Sequence, residues 1–365
     1  MANIRKVNRP KPWIVEYRVS HHRRTRSFAR KTDADAFRAQ VEHAAHRNEL
    51  VDPNEGRVSL AEWSETWLEV AGADWKPKTR ASVESLLRSR ILPAFGSRSL
   101  ASLRPEDVDS WVARMRAEGL SPSRIRQAHV AMSSMLSLAE RHGRIPRNVA
   151  RGADLPPIRR KEAPFFSPAD VDRIIDAMPF DYRGFIAVQG VLGLRFGEAC
   201  AVRRRSVDVM HRRLRVAESL AEVGGDLTFG ATKTHAARTI PLPSSVLALL
   251  EDRMNETPAD DDALLFTSSR GYPIRYSRFR PTVWVPALDR LGLPRVGLHA
   301  LRHSAAARMI GAGWTPKRVQ TTLGHASIAF SLTVYGHLFD DDGDEAAEAL
   351  DRLSRRTSAV QTLRA

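Results

Sequence analysis

The side chains that could do chemistry crowd into one stretch of this sequence. Carboxylates dense enough to hold Mg2+ for phosphoryl transfer occur only in the run DDDGDE at 340–345, placed like a linker. Zinc-ligand spacing and a Walker-type phosphate loop are absent from the sequence. A protein acting on a phosphodiester without metal must neutralise the phosphate with its own cations and supply its own nucleophile, and candidates for both lie between residues 190 and 340. His299 and Arg302, in GLHALRHS, stand three apart and share a face if the segment is helical. Alone that spacing carries nothing, since composition gives roughly 1.6 His-x-x-Arg pairs by chance and three occur, at His21, His235 and His299. Order and context discriminate. LGLRFGE at 192–198 sets Arg195 beside glycine and a carboxylate, ATKTHAARTIPLP puts Lys233 in a turn between two strands, and LGHASIAFSLTVYGHL sets His325 ten residues before Tyr335.

The ordered series GLRFGE, TKT ahead of RTIPLP, HALRHS, LGH and VYGH resembles the tyrosine recombinase family in its phage-type, lambda-like integrase branch. The likeness is strongest from about residue 165 to 340. It extends to the helical middle through the Ser-Pro-x-x-Ile opening at Ser121 and the exit RIPRNVA, and the basic front is similar to an integrase arm-binding module. The resemblance implies a role for each matched residue. Arg195 and Arg302 match the two arginines that clamp the scissile phosphate, a task suited to a planar, permanently charged guanidinium. Lys233 matches a general acid for the departing 5′ oxygen, which an arginine could hardly be because it does not release its proton. His299 matches the histidine that hydrogen-bonds the phosphate and helps accept the tyrosine proton, and His325 the second phosphate-contacting histidine. Tyr335 matches the nucleophile, whose attack leaves a 3′-phosphotyrosyl enzyme and a free 5′ hydroxyl. Glu198 and His303 are expected to orient rather than react. Ala300 and Ser304 depart from the commonest pattern, in which an acidic residue follows the first histidine and threonine the last. These two leave one supporting contact in doubt.

The family likeness implies a site-specific DNA recombinase, an integrase working through a Holliday junction without metal, cofactor or ATP, to integrate or excise a phage or mobile element. Its implied partners are double-stranded DNA at core-type and arm-type attachment sites, further copies of itself in a homotetramer on DNA, and an excisionase or DNA-bending protein, in a bacterial host cytoplasm. A type IB topoisomerase and a resolvase-type tyrosine recombinase share the chemistry, although resolvases usually lack an arm module. A non-catalytic DNA-binding regulator is the alternative of a different class, and the complete set from Arg195 to Tyr335 speaks against it.

Positioning these residues is work for 365 residues, enough for two or three domains with cores of their own. The 57 Lys plus Arg against 42 Asp plus Glu give +15, and with a pI of about 10.7 a polyanion is the expected partner. Of the basic residues 49 are arginine and 8 lysine, a skew that coding bias explains and that makes Lys233 more notable. The single cysteine, Cys200, excludes a disulfide framework within the sequence. No stretch reads as a membrane span or a secretory signal.

The expected fold is multidomain. Residues 1–55 form a small β-sheet plus helix, the arm-type DNA-binding module; they open on a 1–50 stretch with 12 basic and 5 acidic residues. Within it, 13–19 alternates and can pair with 25–29 across HHRR, and a helix capped by Thr32 presents Ala36, Phe37 and Val41. Arg23, Arg24 and Arg26 are DNA-binding candidates there. Residues 56–153 form an all-α four-helix core-binding (SAM-like) domain, with a capping box at Ser59 and Glu62. A basic, Pro-rich linker spans 154–168, with Arg159, Arg160 and Lys161 as further DNA contacts. Residues 169–340 form a mixed, mainly α catalytic domain with a small antiparallel sheet from strands near 212–216, 227–230 and 238–242. The tail 341–365 carries a helix, 346–353, expected to dock on a neighbouring protomer.

Overall fold

The computed structural model describes residues 2–19, 22–46, 55–158, 164–231, 237–325 and 327–336. Lys233, Arg159, Arg160, Lys161, the acidic run 340–345 and the expected helix 346–353 lie outside the described residues. The chain divides into two compact units, Met1–Arg160 and Lys161–Ala365. No helix among the described residues is long and apolar enough to cross a membrane.

The first unit opens with an antiparallel sheet ordered β1 (Asn3–Lys6), β2 (Trp13–Val19), β3 (His22–Phe28). The expected pairing of the second and third strands is present, in register from Trp13 opposite Phe28 to Val19 opposite His22. Strand β1 is unforeseen: NIRK has a single apolar residue, and it joins because β2 offers an open edge. Helix α1 (Lys31–His46) begins ahead of Thr32, and Ala34, Phe37 and Val41 pack with Val15, Tyr17 and Val19. Ala36, expected inward, is exposed, because spacings of three and four from Ala34 skip it.

A separate apolar cluster gathers the helices that follow. In α2 (Leu60–Ala71) the Ser59 hydroxyl accepts from the Glu62 N–H and the Glu62 carboxylate accepts from the Ser59 N–H, completing the expected capping box. Helix α3 (Pro77–Leu86) passes through a π turn (Leu87–Ile91) into α4 (Leu92–Phe95), where Pro93 lacks the N–H a regular ladder would use. Helices α5 (Pro105–Ala117) and α6 (Pro122–Arg141) complete the group. The Trp63, Trp67 and Trp111 indoles are buried and each donates a hydrogen bond, to the Met135 carbonyl, the Ser134 hydroxyl and the Arg90 carbonyl.

The second unit packs α7 (Pro168–Ala177) and α8 (Phe180–Gly190) at its core, followed by the short α9 (Phe196–Cys200). Two small sheets follow: β4 (Val207–Asp208), β5 (Arg213–Val216) and β8 (Arg238–Pro241) in one, β6 (Glu218–Val223) and β7 (Asp226–Ala231) in the other. This corrects the single small sheet expected of three strands, two of them on either side of Lys233. The strands flanking that lysine are not each other's partners, since β7 pairs with β6 and β8 with β5. The cause is the unforeseen strand β6, which folds back on β7 across Gly224 and Gly225, both at positive φ. Helix α10 (Ser244–Asn255) precedes α11 (Tyr276–Phe279), a second π turn (Arg280–Trp284) and α12 (Val285–Leu291). The last described elements are α13 (His299–Gly311), α14 (Pro316–Leu323) and α15 (Ile328–Tyr335).

Candidate active site

Helix α8 is buried from Gly184 onward, so the chain leaving it at Leu192–Leu194 is fixed in the core. Gly193 turns there at φ +76°, and a Cβ on it would stand 2.3 Å from the Leu323 side chain, so only glycine fits. Arg195 follows as the extended residue capping α9. Glu198, three residues on, accepts the Arg195 backbone N–H at 2.9 Å and its Nη1 at 2.8 Å. Half of a capping box thereby aims a guanidinium.

Helix α13 carries three of the expected residues in its first five. His299 is its exposed first residue, and its ring meets that of His303 edge-on, 4.8 Å between centroids, as i and i+4 neighbours do. Arg302, on the inner side, is 2% exposed. Its Nη1 donates to the Gly193 carbonyl and its Nη2 to the Leu323 carbonyl, both at 2.6 Å. Burial drives its pKa down, to about 9, helped by the Arg195 charge and opposed by Glu198; the guanidinium remains a cation at neutral pH. Ser304 resolves the doubt over its departure from pattern: its hydroxyl accepts the Phe166 N–H at 2.8 Å and donates to the Ala300 carbonyl, tying the start of the unit to α13.

Helix α14 opens on Thr315 with Pro316 and ends on Gly324 at φ +67°. Its last carbonyls converge on three guanidiniums: Thr322 accepts from Arg238 Nε at 2.7 Å, Leu323 from Arg302, and Gly324 from Arg195 Nη2 at 3.1 Å. Three cations at a helix C-terminus satisfy acceptors that the helix leaves open and complement its dipole. His325 comes next, buried, with its N–H donating to the Gln320 carbonyl and its carbonyl accepting from Gln320 Nε2. Burial and the neighbouring Arg302 and Arg195 charges hold its imidazole neutral, with a pKa lowered to about 3.

Tyr335 ends α15 and is buried against Ala305, Met309, Val319 and Leu323. Its hydroxyl lies 2.8 Å from His303 Nδ1, and its ring is near-parallel to that of His325. Burial pushes the phenol up to about 12, with Arg302 and Arg195 pulling the other way. His303 is shifted down by burial and by Arg302, so it stands neutral and can accept a proton.

The structure thus brings together Arg195, Glu198, His299, Arg302, His303, His325 and Tyr335. His303, expected to orient, touches the hydroxyl that would react. The arginine candidates of the first unit divide between two sheet faces: Arg23 shares the helix-free face with Arg5, Arg18 and Thr25, while Arg24 and Arg26 lie on the α1 side, with Arg26 over the Phe28 and Phe37 rings. Sequence reasoning missed Arg238, which donates to both Glu198 oxygens, at 3.1 and 2.7 Å. The one available signal was a charge opening the mostly apolar RTIPLP.

Residues 164–341 match the phage integrase family and residues 59–116 the SAM-like N-terminal domain of phage integrases. The integrase of Mycobacterium phage D29 is 26% identical over 83% of this chain and 83% of its own. A tyrosine recombinase XerC-like protein of Caldanaerobacter subterraneus subsp. tengcongensis is 23% identical over 81% and 83%. Among solved structures, the Tn1549 transposon integrase in complex with a circular intermediate DNA shares the fold with a TM-score of 0.70, at 21% identity over 80% of this chain and 99% of that one.

Proposed function

Because this chain belongs to the phage integrase family of tyrosine recombinases, and is a site-specific integrase, we propose that Tyr335 is the residue that opens and reseals its DNA. The Tyr335 oxygen attacks the scissile phosphorus, forming a 3′-phosphotyrosyl bond as the bond to the 5′ oxygen breaks. The phenolic proton passes to His303 Nδ1, 2.8 Å away, and His299 joins the phosphate. Lys233 gives its proton to the leaving 5′ oxygen. Arg195 and Arg302 stabilise the extra negative charge of the pentacoordinate state from positions their carbonyl and carboxylate partners already hold. Attack by a 5′ hydroxyl of another strand reverses each step, so the bond energy is kept and no ATP is consumed. The observation that carries this reading is the contact of the Tyr335 hydroxyl with His303 Nδ1 beside the buried Arg302, on the same helix as His303.

Pairwise exchange through a Holliday junction requires a homotetramer on core-type sites, with the tail after residue 340 docking between copies. Arg5, Arg18, Arg23 and Thr25 on the helix-free sheet face are suited to arm-type DNA, and the four-helix group together with the linker cations Arg159, Arg160 and Lys161 to the core site. The test is a covalent trap. Nicked suicide duplexes from the element's own junctions should yield a protein–DNA adduct with the wild type and none with Tyr335→Phe; absence of an adduct with the wild type would sink the enzymatic assignment of these residues.

A further inference from the structure

Arg238 opens β8, outside the set of residues given a role above, yet its side chain is only 7% exposed and every guanidinium nitrogen is committed. Its two terminal nitrogens form a fork on Glu198, and its Nε holds the Thr322 carbonyl at 2.7 Å. Glu198 is itself 2% exposed, and it divides its acceptor positions evenly: two donors from Arg238 and two from Arg195. On its other side Arg238 lies under the turn at Gly324, where a Cβ would come within 3.1 Å of its Nη1. One side chain therefore supports two parts of the site at once: the carboxylate that aims Arg195 and the helix end that delivers His325.

We infer that Arg238 is a positioning residue for phosphoryl transfer, locking Glu198 so that Arg195 keeps one orientation and clamping the end of α14 so that His325 keeps its place. The inference rests on the phosphoryl-transfer reading above. The physical reason for a second arginine is electrostatic. A buried carboxylate facing Arg195 alone would compete with the DNA phosphate for that guanidinium, and would carry its own desolvation penalty against a single partner. With Arg238 taking both oxygens, Glu198 is satisfied without drawing the whole of Arg195, which keeps donors to turn toward the phosphate. A fork is needed for this, and lysine offers only a point charge.

The groups facing Glu198 are Arg195 on its own helix, Arg238 on β8 and Arg302 on α13. The carboxylates of the packed strand β6 are engaged elsewhere, Glu218 with Arg203 and Glu222 with Ser277. Burial alone would raise the Glu198 pKa, and the Arg238 bonds and charge, followed by Arg195, bring it down to about 2. Without Arg238 the carboxyl must protonate at higher pH, and protonation then releases Arg195 from a competing charge.

The experiment measures single-turnover cleavage on saturating suicide duplex, with DNA affinity and thermal melting in parallel, for wild type, Arg238→Met, Arg238→Lys and the double variant Arg238→Met with Glu198→Gln. The expected result for Arg238→Met is about a 10²-fold loss in the cleavage step, the size of a small misplacement of a reacting group, with DNA affinity within about twofold. Its rate should also recover part way as pH is lowered, over a range where the wild type holds level. The double variant should be faster than Arg238→Met and lack the new pH dependence, because no carboxylate is stranded. Arg238→Lys should fall between wild type and Arg238→Met. Cleavage by Arg238→Met at the wild-type rate would overturn the inference, as would losses that follow the fraction of folded protein in every variant, or a double variant no faster than Arg238→Met. If the wild type itself forms no adduct, the recombinase assignment of the site fails and takes this role with it; an active wild type with an indifferent Arg238 removes the positioning role alone.

Discussion

Arginine is used in two opposite ways in this molecule. In the second unit Arg195, Arg238 and Arg302 are drawn into the protein, with side-chain exposures of 24% and 7% for the first two and a residue exposure of 2% for the third, and each is bound to a named carbonyl at the end of α14. In the N-terminal sheet Arg5 and Arg23 flank Glu16 with 58% and 68% of their side chains in solvent. Burial is costly for a cation, and the site offsets it with Glu198 and with fixed backbone acceptors, so orientation is settled before any phosphate arrives. The exposed pairs on the sheet contribute little to stability and are screened by salt. The proposed roles divide the same way, catalysis where the side chain's freedom has been removed and affinity where it has been kept.

The comparison breaks most readily at Arg302. Replacement by alanine strands the Gly193 and Leu323 carbonyls and removes a cation from the proposed phosphate site, and cleavage should fall on the order of 10²-fold or more. Arg302→Lys is the sharper test. It keeps the charge but cannot bridge two carbonyls, so the rate should stay close to that of alanine when measured by single-turnover adduct formation. Near-wild-type cleavage by Arg302→Lys would mean that charge alone matters and that burial adds nothing.

A smaller effect is expected in the pH profile. In the proposed role His303 accepts the Tyr335 proton only while neutral, and burial with the Arg302 charge lowers its pKa below the ordinary 6.5. A base so shifted stays deprotonated further into acid. Cleavage should hold its plateau as pH is lowered through 6.5 and decline only below it, and His303→Gln should abolish that limb along with most of the rate. A decline centred at or above 6.5 would show that a histidine in ordinary solvent limits the reaction.

How much of this is legible in the sequence follows from the same contrast. The matched residues stand in local motifs, such as the carboxylate in LGLRFGE near Arg195 and the spacing of three between His299 and Arg302, so the set can be picked out along the chain. Capping at Ser59 and Ser121 is equally plain, because it depends on neighbours in the chain. Arg238 is not legible. Its partners, Glu198 and Thr322, lie 40 and 84 residues away, and its sequence signature, an arginine three after His235, is one of the pairs that composition gives by chance. Strand pairing fails for a related reason: ESLAEV has weak alternation, and only the Gly224–Gly225 turn hints that β7 folds back on it rather than on β8. His303 reads as an orienting residue because nothing in HALRHS distinguishes the ring that meets Tyr335, 32 residues downstream, from the ring that does not.

The sheet supplies the mildest perturbation and the other half of the comparison. Arg5, Arg18 and Arg23 share the face opposite α1, and none of them contributes to the apolar cluster of Ala34, Val15, Tyr17 and Val19. Changing all three to alanine should move the melting temperature little, since exposed ion pairs contribute about 0–1 kcal/mol each. Adduct formation on a short core-site duplex should be unchanged. Binding to longer DNA carrying arm-type sequence should weaken, and the slope of log affinity against log salt should shrink by about 0.9 for each phosphate that is no longer neutralised. The fixed arginines of the active site predict the reverse, a large loss in rate at a nearly constant salt slope. If the triple variant instead slowed core cleavage while leaving the salt slope intact, the exposed arginines would be acting through the protein rather than on DNA, and the division between fixed and free cations would fail at its simpler end.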